Sequence, residues 1–237
     1  MEQNNKELLL SGLIKLEVPN AEQKADILAM YCDRVLEANG RFNLLGNVTE
    51  YDMVVKHILD SVSGHKLVGT GKKVLDIGTG AGFPGFPLAV CLPQSQFTLA
   101  DATEKKIDFI RQTAQALGVN NITAVSGRAE EMAHGKMRES FDVCVSRAVA
   151  ALNKLSEYCL PFIKCGGRLV AYKGPLVYDE VAEAEKAFSM LGGKLQGIHA
   201  VSVPYLEGDR FAAVIDKLKP TNPIYPRKNS NIIKRPL

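Results

Sequence analysis

Hydrophobic residues recur at a helical spacing through residues 1–65 of the chain. One such stripe consists of Leu28, Tyr31, Cys32, Val35 and Leu36. Positions three and four apart lie on one face of a helix, so this face is expected to be buried. Asn20 stands where an N-cap is expected, with Gln23 at the reciprocal position. The pattern predicts an N-terminal helical extension over residues 1–65.

A further helix is predicted after Thr49, because T-x-x-D is a helix-start signal. Its inward positions are Val54, Val55, Ile58, Leu59 and Val62. His57 and Asp60 lie three residues apart on the same helix and therefore one above the other. His57 fits a structural histidine as well as it fits a substrate contact.

Residues 66–217 alternate short apolar runs with helical patterns. The predicted strands are KKVLDIG, QFTLAD, NITAVSG, FDVCVSRAV and CGGRLVAYKG. Helices are predicted near 85–92, 104–117, 152–160 and 178–191. Strands alternating with helices indicate βαβ units and a parallel sheet covered on both faces.

Two runs at the end of this region, GKLQGIHAVSVPY and DRFAAVIDKL, are separated only by LEG. Such a gap cannot hold a crossover helix, so the two strands must pair antiparallel. A parallel sheet with an antiparallel last strand is the Rossmann-like topology of class I S-adenosylmethionine methyltransferases. A dinucleotide dehydrogenase would have a helical crossover there.

Composition narrows the class of protein further. The 237 residues are 46% hydrophobic, enough for a sizeable core, and the net charge is +3, so a basic surface must be local. No apolar run approaches a membrane span, and the N-terminus lacks the features of a secretion signal. Five scattered cysteines without C-x-x-C indicate free thiols of a reducing cytoplasm and no metal site.

Residues 218–237 form a basic, proline-rich tail. Four prolines in its last eighteen positions predict an absence of regular structure. Its cations in this stretch are Arg227, Lys228, Lys234 and Arg235, with no acid among them. The tail is either a solvated end or a basic arm that contacts phosphates, with Tyr225 available for stacking.

A glycine-rich loop follows the first predicted strand. Asp76 is followed by Gly78, Gly80 and Gly82 in the spacing G-x-G-x-G. Glycine allows a positive φ and a close approach of a ligand to the backbone. The next strand ends in Asp101, whose carboxylate can accept hydrogen bonds from two ribose hydroxyls. The loop therefore predicts an adenosine-containing cofactor.

S-adenosylmethionine fits this loop better than NAD or a structural turn without ligand. An acidic Asp76 suits a sulfonium and repels a pyrophosphate, and Pro84 and Pro87 remove amide donors from the following helix. After the third strand, Ala129 and Glu130 are candidates for reading the adenine. Glu130 also fits a helix N-terminus, which favours acidic residues.

The acceptor is expected at the end of the fourth strand, near Arg147. The chain lacks the [DN]-P-P-[YF] motif of adenine-N6 enzymes and the Pro-Cys nucleophile of cytosine-C5 enzymes. Guanine N7 has a free lone pair and needs no general base, so catalysis reduces to placement. Arg147 could hold O6 or a phosphate, or form a salt bridge. Lys173, His57 and Asn43 are further acceptor-side candidates, and none is a certain catalytic residue.

The chain resembles the bacterial 16S ribosomal RNA guanine-N7 methyltransferase family, also called glucose-inhibited division protein B. The matching segments are HILDS, DIGTGAGFPGFPLA, GRAEE, SRAVA, YKG and the closing YPRK…KRPL. The resemblance implies S-adenosylmethionine contacts at Gly78, Phe83, Ala129, Glu130 and Arg147. It also implies methylation of N7 of one guanosine in 16S rRNA of the small ribosomal subunit by a monomeric cytoplasmic enzyme.

Two departures from the family concern RNA contacts. The chain has Asn43-Leu44-Leu45 where the family often has NLT, and no glycine precedes Tyr225. A small-molecule methyltransferase and a non-catalytic ribosome-assembly factor on the same fold are the alternative functions.

Overall fold

A seven-stranded sheet forms the centre of the structure, a computed structural model that describes residues 1–42 and 44–237. The strands are β1 Lys73–Ile77, β2 Gln96–Asp101, β3 Ile122–Ser126, β4 Phe141–Arg147, β5 Ile163–Lys173, β6 Gly193–Ala200 and β7 Phe211–Lys217. Their order is β3-β2-β1-β4-β5-β7-β6. The first five strands pair parallel, and β7 runs antiparallel to β5 and β6. The predicted parallel sheet with an antiparallel last strand is confirmed.

Helices surround the sheet. They are α1 Gln3–Lys15, α2 Ala21–Phe42, α3 Glu50–Asp52, a π-helix Met53–Leu59, α4 Asp60–Ser63, α5 His65–Val68, α6 Gly85–Cys91, α7 Glu104–Ala116, α8 Ala129–Met132, α9 Leu152–Cys159, a 3₁₀ turn Leu160–Phe162, α10 Val177–Met190 and α11 Asn229–Lys234. The predicted helices of the sheet region are confirmed.

The two faces of the sheet bury separate hydrophobic cores. Alternate residues of a strand point to opposite faces, so Val74 packs in one core and Leu75 in the other. The first core also holds α1, α2 and the π-helix, and the second holds α9 and α10. The N-terminal helices thus cover one face of the sheet.

The predicted buried stripe of α2 is confirmed at four positions, with Leu28, Tyr31, Cys32 and Val35 fully buried, whereas Leu36 is half-buried. The Thr49 cap is also confirmed, because its hydroxyl oxygen accepts a hydrogen bond from the amide of Asp52 at 3.1 Å. The helix that follows begins as α3 but widens to a π-helix over Met53–Leu59. The sequence pattern did not predict this widening.

Two expectations are wrong. The connection between β6 and β7 spans residues 201–210 rather than LEG alone. The tail is not without regular structure, because Asn229–Lys234 is helical and Ile232 and Tyr225 are buried. Tertiary packing stabilises this short helix between Pro226 and Pro236.

No helix among the described residues is long and apolar enough to cross a membrane. In the same part of the chain, no group of three or more His, Cys, Asp or Glu side chains is arranged to hold a metal ion. Cys165 is exposed, and the other four cysteines are buried free thiols.

Candidate functional site

The glycine loop turns sharply after β1. Gly78 and Gly80 have φ angles of 73° and 60°, in the left-handed region that favours glycine. The amides of Gly78 and Thr79 donate to the carbonyl oxygen of Ala100 at 2.9 and 3.1 Å, which fixes the loop to β2. A Cβ on Gly78 would lie 2.4 Å from Cγ2 of Val149. Glycine is therefore required here by φ and by the segment that follows β4.

The buried side chain of Asp76 anchors the glycine loop through hydrogen bonds. Its Oδ2 accepts hydrogen bonds from the Thr79 hydroxyl at 2.6 Å and the Gly85 amide at 2.8 Å. Its Oδ1 has no hydrogen-bond partner among the described residues. Burial raises the pKa of Asp76 to about 7. The carboxyl thus ties the two ends of the loop together.

Asp101 is fixed at the end of β2. Its Oδ2 accepts from the Gly80 amide at 3.0 Å, and its Oδ1 accepts from the Thr103 amide at 2.9 Å. A carboxylate has about four lone-pair sites. Acceptor capacity therefore remains for hydroxyl groups of a ligand.

A cavity of about 430 Å³ lies beside this loop, and we call it the glycine-loop cavity. Its lining residues are Ile77, Gly78, Ala100–Ala102, Gly127–Glu130, Met132, Val149–Ala151, Lys154, Tyr158, Asn229 and Ile233. The structure therefore brings together Gly78, Asp101, Ala129 and Glu130 of the predicted cofactor residues. Gly80, Phe83 and Arg147, the other residues predicted to bind the cofactor, are not part of this lining.

A second cavity, of about 680 Å³, lies on the other side of segment 149–151, and we call it the Arg147 cavity. Its lining residues are Lys56, His57, Asp60, Arg147–Ala151, Tyr172–Gly174, Glu180, Val201, Arg210 and Phe211. Segment 149–151 lines both cavities, so ligands in the two would meet at this segment. Three of the predicted acceptor-side residues, Arg147, Lys173 and His57, lie in this cavity.

Arg147 links β4 to the N-terminal helices. Its Nη1 donates to Oδ2 of Asp60 at 2.7 Å and to the carbonyl of Lys56 at 3.1 Å. Its Nη2 lies 3.2 Å from Nδ1 of His57, so this ring nitrogen is the acceptor. The salt bridge weighed from the sequence is present, and the guanidinium is largely occupied by protein partners.

His57 is held in its neutral form. Burial and the Arg147 charge lower its pKa to about 4. The ring centroid of Phe83 lies 5.2 Å from the ring centroid of His57 and 5.3 Å from the guanidinium carbon of Arg147. Phe83 is therefore a buried packing partner of both side chains.

Lys173 lies at the end of β5 and faces the Arg147 cavity. Its Nζ donates to Oε2 of Glu180 at 2.6 Å and to the carbonyl of Ala150 at 2.7 Å. The same Glu180 oxygen accepts from the Leu152 amide at 2.9 Å. This cluster holds Ala150, in the middle of the segment shared by the two cavities, and Leu152, which follows that segment.

Sequence reasoning missed several lining residues. Arg210 lies 3.5 Å from Oδ1 of Asp60, and Asn229 and Ile233 reach the other cavity from the tail. No motif marks them, because their position depends on contacts between distant parts of the chain. Asn43 lies outside the described residues. Arg41, in the last turn of α2, pairs with Glu37 on the surface.

The tail does not present Arg227 and Tyr225 as a free arm. Tyr225 is buried, and Arg227 forms a bidentate pair with the fully buried Glu157 at 2.6 Å. Burial of a carboxylate requires a partner. The expectation that these two side chains are free for RNA is wrong.

Comparison with known families places the chain among rRNA-modifying proteins. A model of the family described as rRNA small subunit methyltransferase G matches residues 24–207. A protein of this name from Alkaliphilus oremlandii is 40% identical over 235 residues, which cover 98% of each chain. Another from Deinococcus deserti is 42% identical over 238 residues, covering 98% of this chain and 96% of its own.

Solved structures show the same fold at low identity. NSun6 from Pyrococcus horikoshii, solved with SFG, has a TM-score of 0.55 and 16% identity, covering 69% of this chain and 52% of its own. TYW2 from M. jannaschii, solved in complex with AdoMet, has a TM-score of 0.54 and 14% identity, covering 67% and 77%. These likenesses establish the class I methyltransferase fold.

Proposed function

The chain belongs to the rRNA small subunit methyltransferase G family, and from this membership we propose that it methylates N7 of a guanosine in 16S rRNA with S-adenosylmethionine as donor. The observation that carries the proposal is the pair of cavities that meet at segment 149–151. A methyl donor and its acceptor must be adjacent but held by different groups. The two cavities are adjacent at this segment and are otherwise lined by different residues, so they meet both requirements.

The glycine-loop cavity fits S-adenosylmethionine. Its volume of about 430 Å³ is within the range of small-molecule sites. Asp101 retains lone pairs for ribose hydroxyls, Gly78 lets the ligand approach the backbone, and Ala129 with Glu130 borders the position of the adenine. When bound, S-adenosylmethionine supplies an electrophilic methyl group. The role of the cavity is to hold and orient this group toward segment 149–151.

The Arg147 cavity fits a guanine that attacks through N7. This nitrogen carries a lone pair and no proton, so neutral His57 is not needed as a base. Arg147 is already bonded to Asp60 and to backbone carbonyls, so its donors do not occupy the attacking lone pair. Lys173 and Arg210 supply positive charge for a phosphate. The protein then contributes to catalysis by placing N7 against the methyl group and by excluding water.

The remaining elements of the proposal are those that the resemblance to this family implies. The macromolecular partner is 16S rRNA within the small ribosomal subunit, and the site of action is the cytoplasm. The enzyme acts as a monomer without metal. The catalytic domain comprises residues 66–217. The preceding residues 1–65 complete the acceptor site, because Lys56, His57 and Asp60 line the Arg147 cavity.

The test is transfer of labelled methyl from S-adenosylmethionine to small ribosomal subunits that lack the modification. The rRNA is digested, and the labelled nucleoside is identified. Label in 7-methylguanosine is expected. Label in another nucleoside would contradict the acceptor, and absence of label with intact cofactor binding would contradict the rRNA substrate.

A further inference from the structure

Residues 218–237, which we call the strap, are clamped to the elements that build the glycine-loop cavity. The Arg138 guanidinium donates to the carbonyl oxygens of Thr221, Asn222 and Tyr225 at 2.7, 3.3 and 2.9 Å. A ring nitrogen of His134 lies 2.9 Å from the carbonyl oxygen of Pro226. Both residues follow α8, whose Ala129 and Glu130 line the cavity. The strap therefore has a fixed position relative to that wall.

A buried charge pair fixes the strap to α9 as well. The carboxylate of Glu157 is fully buried and accepts from the Arg227 backbone amide at 2.7 Å, from its Nε at 2.9 Å and from its Nη2 at 2.6 Å. An unpaired buried carboxylate is strongly unfavourable. Glu157 therefore requires Arg227, and Arg227 brings the following α11 to the cavity.

Two residues of α11 reach the cavity wall. The Tyr158 hydroxyl donates to Oδ1 of Asn229 at 2.5 Å, and both side chains line the glycine-loop cavity. Ile233 lines it too and is 55% exposed, whereas the adjacent Ile232 is fully buried and anchors the helix. An apolar side chain at the rim of a cavity is suited to cover an apolar face of a ligand.

We infer that the strap is part of the cofactor site and closes its adenosine side, with Ile233 against the adenine ring and Asn229 oriented by Tyr158. This inference rests on the proposed use of S-adenosylmethionine. The adenosine side follows from Glu130, because Glu130 and Asn229 line the glycine-loop cavity together. Glu130 stands at the position proposed for the adenine.

The experiment is calorimetry with S-adenosylmethionine and with 5′-methylthioadenosine, which lacks the amino-acid end. The variants of the full chain are Ile233→Asp and the matched control Ile224→Asp, because Ile224 is 65% exposed in the strap but outside this cavity. We expect Ile233→Asp to weaken both ligands about tenfold and Ile224→Asp to leave both unchanged. Thermal unfolding should be the same for both variants.

Each of the other outcomes contradicts either this inference or the proposed function. Unchanged binding by Ile233→Asp, or an equal loss in Ile224→Asp, overturns the inference, and a loss for S-adenosylmethionine alone overturns the adenosine placement. If Ile233→Asp does not fold, Ile233→Ala replaces it, with an expected loss of about threefold. Absence of binding by the unmodified chain would instead contradict the proposed function.

Discussion

At the residue scale, Arg147 and Asp60 form an ion pair from which most of the solvent is excluded. The side chains are 15% and 8% exposed, and Asp60 also has Arg210 at 3.5 Å. Removing one partner of a buried pair leaves the other charge without compensation, and this is more destabilising than the pair is stabilising. Stability and function are therefore coupled at the Arg147 cavity, which both side chains line.

We expect Arg147→Leu to lower the free energy of unfolding by about 3 kcal/mol, because buried Asp60 loses its closest cation. The control is Arg41→Leu in the Arg41–Glu37 pair, whose side chains are 67% and 66% exposed. Exposed pairs contribute about 1 kcal/mol or less. Urea unfolding of both variants measures the difference, and equal losses would contradict the assigned burial of the Arg147 pair.

His57 predicts a pH dependence of stability. Its pKa is lowered from 6.5 to about 4 by burial and by Arg147. The unfolded chain therefore binds more protons than the folded chain between these values, so stability falls as the pH decreases from 6.5 toward 4. His57→Gln keeps an acceptor for Arg147 but does not titrate. Urea unfolding measures the free energy of unfolding at pH 7 and at pH 4.5. The decrease between these pH values should be smaller in the variant than in the wild type, by on the order of 1–2 kcal/mol. Parallel curves would be evidence against a neutral, buried His57.

Residues that belong to one local motif were predictable from the sequence. Gly78 and Asp101 are placed by strand ends, and the parallel register of β1 and β2 brings them together. Arg210 and Asn229 could not be found in the same way. They come from a strand connection and a tail whose positions are determined by Asp60 and Glu157, far away in the sequence.

At the element scale, the glycine loop and the segment after β4 form one unit. Val149 packs where a side chain on Gly78 would be, and Ala148 has a φ of 57°, which is strained for a residue with a Cβ. Displacing this segment would change both cavities together. The unit therefore connects cofactor binding to acceptor binding.

Alanine substitutions in the loop separate strain from displacement. Gly78→Ala and Gly80→Ala both place a Cβ at positive φ, at a cost of about 1–2 kcal/mol. Only Gly78→Ala must also displace Val149, because nothing lies within 4 Å of a Cβ on Gly80. We expect Gly78→Ala to lower methyl transfer about tenfold more than Gly80→Ala. Similar kcat/KM values in the two variants would show that the loop does not position segment 149–151.

Two short elements were not predicted from the sequence. The π-helix Met53–Leu59 follows an ordinary helical sequence, but its Lys56 carbonyl accepts from Arg147. The tail helix α11 lies between prolines and is stabilised by buried Ile232 and by the Arg227–Glu157 pair. Both depend on tertiary contacts, which local periodicity does not contain.

At the scale of the whole molecule, a local excess of positive charge lies at the Arg147 cavity. The net charge is only +3, yet Lys56, Arg147, Lys173 and Arg210 all line the Arg147 cavity, against Asp60 and Glu180. A local excess of cations at one cavity attracts a phosphate backbone without making the whole surface adhesive. The N-terminal helices add Lys56, neutral His57 and Asp60 to this lining, so they leave the excess unchanged, and it comes from Arg147, Lys173 and Arg210 against Glu180.

Lys56 tests this distribution of charge. It lines the Arg147 cavity, is 55% exposed and pairs with Asp52 at 2.8 Å; Lys66 is 62% exposed and pairs with Glu17, but lies outside the cavity. Lys56→Ala should raise the KM for small ribosomal subunits about threefold and reduce the slope of binding against salt by about 1, because one phosphate contact is lost. Lys66→Ala removes the same charge and should change neither value. Methyl-transfer kinetics and binding at several salt concentrations measure both effects. An equal effect of the two variants would mean that net charge, and not the Arg147 cavity, attracts the RNA.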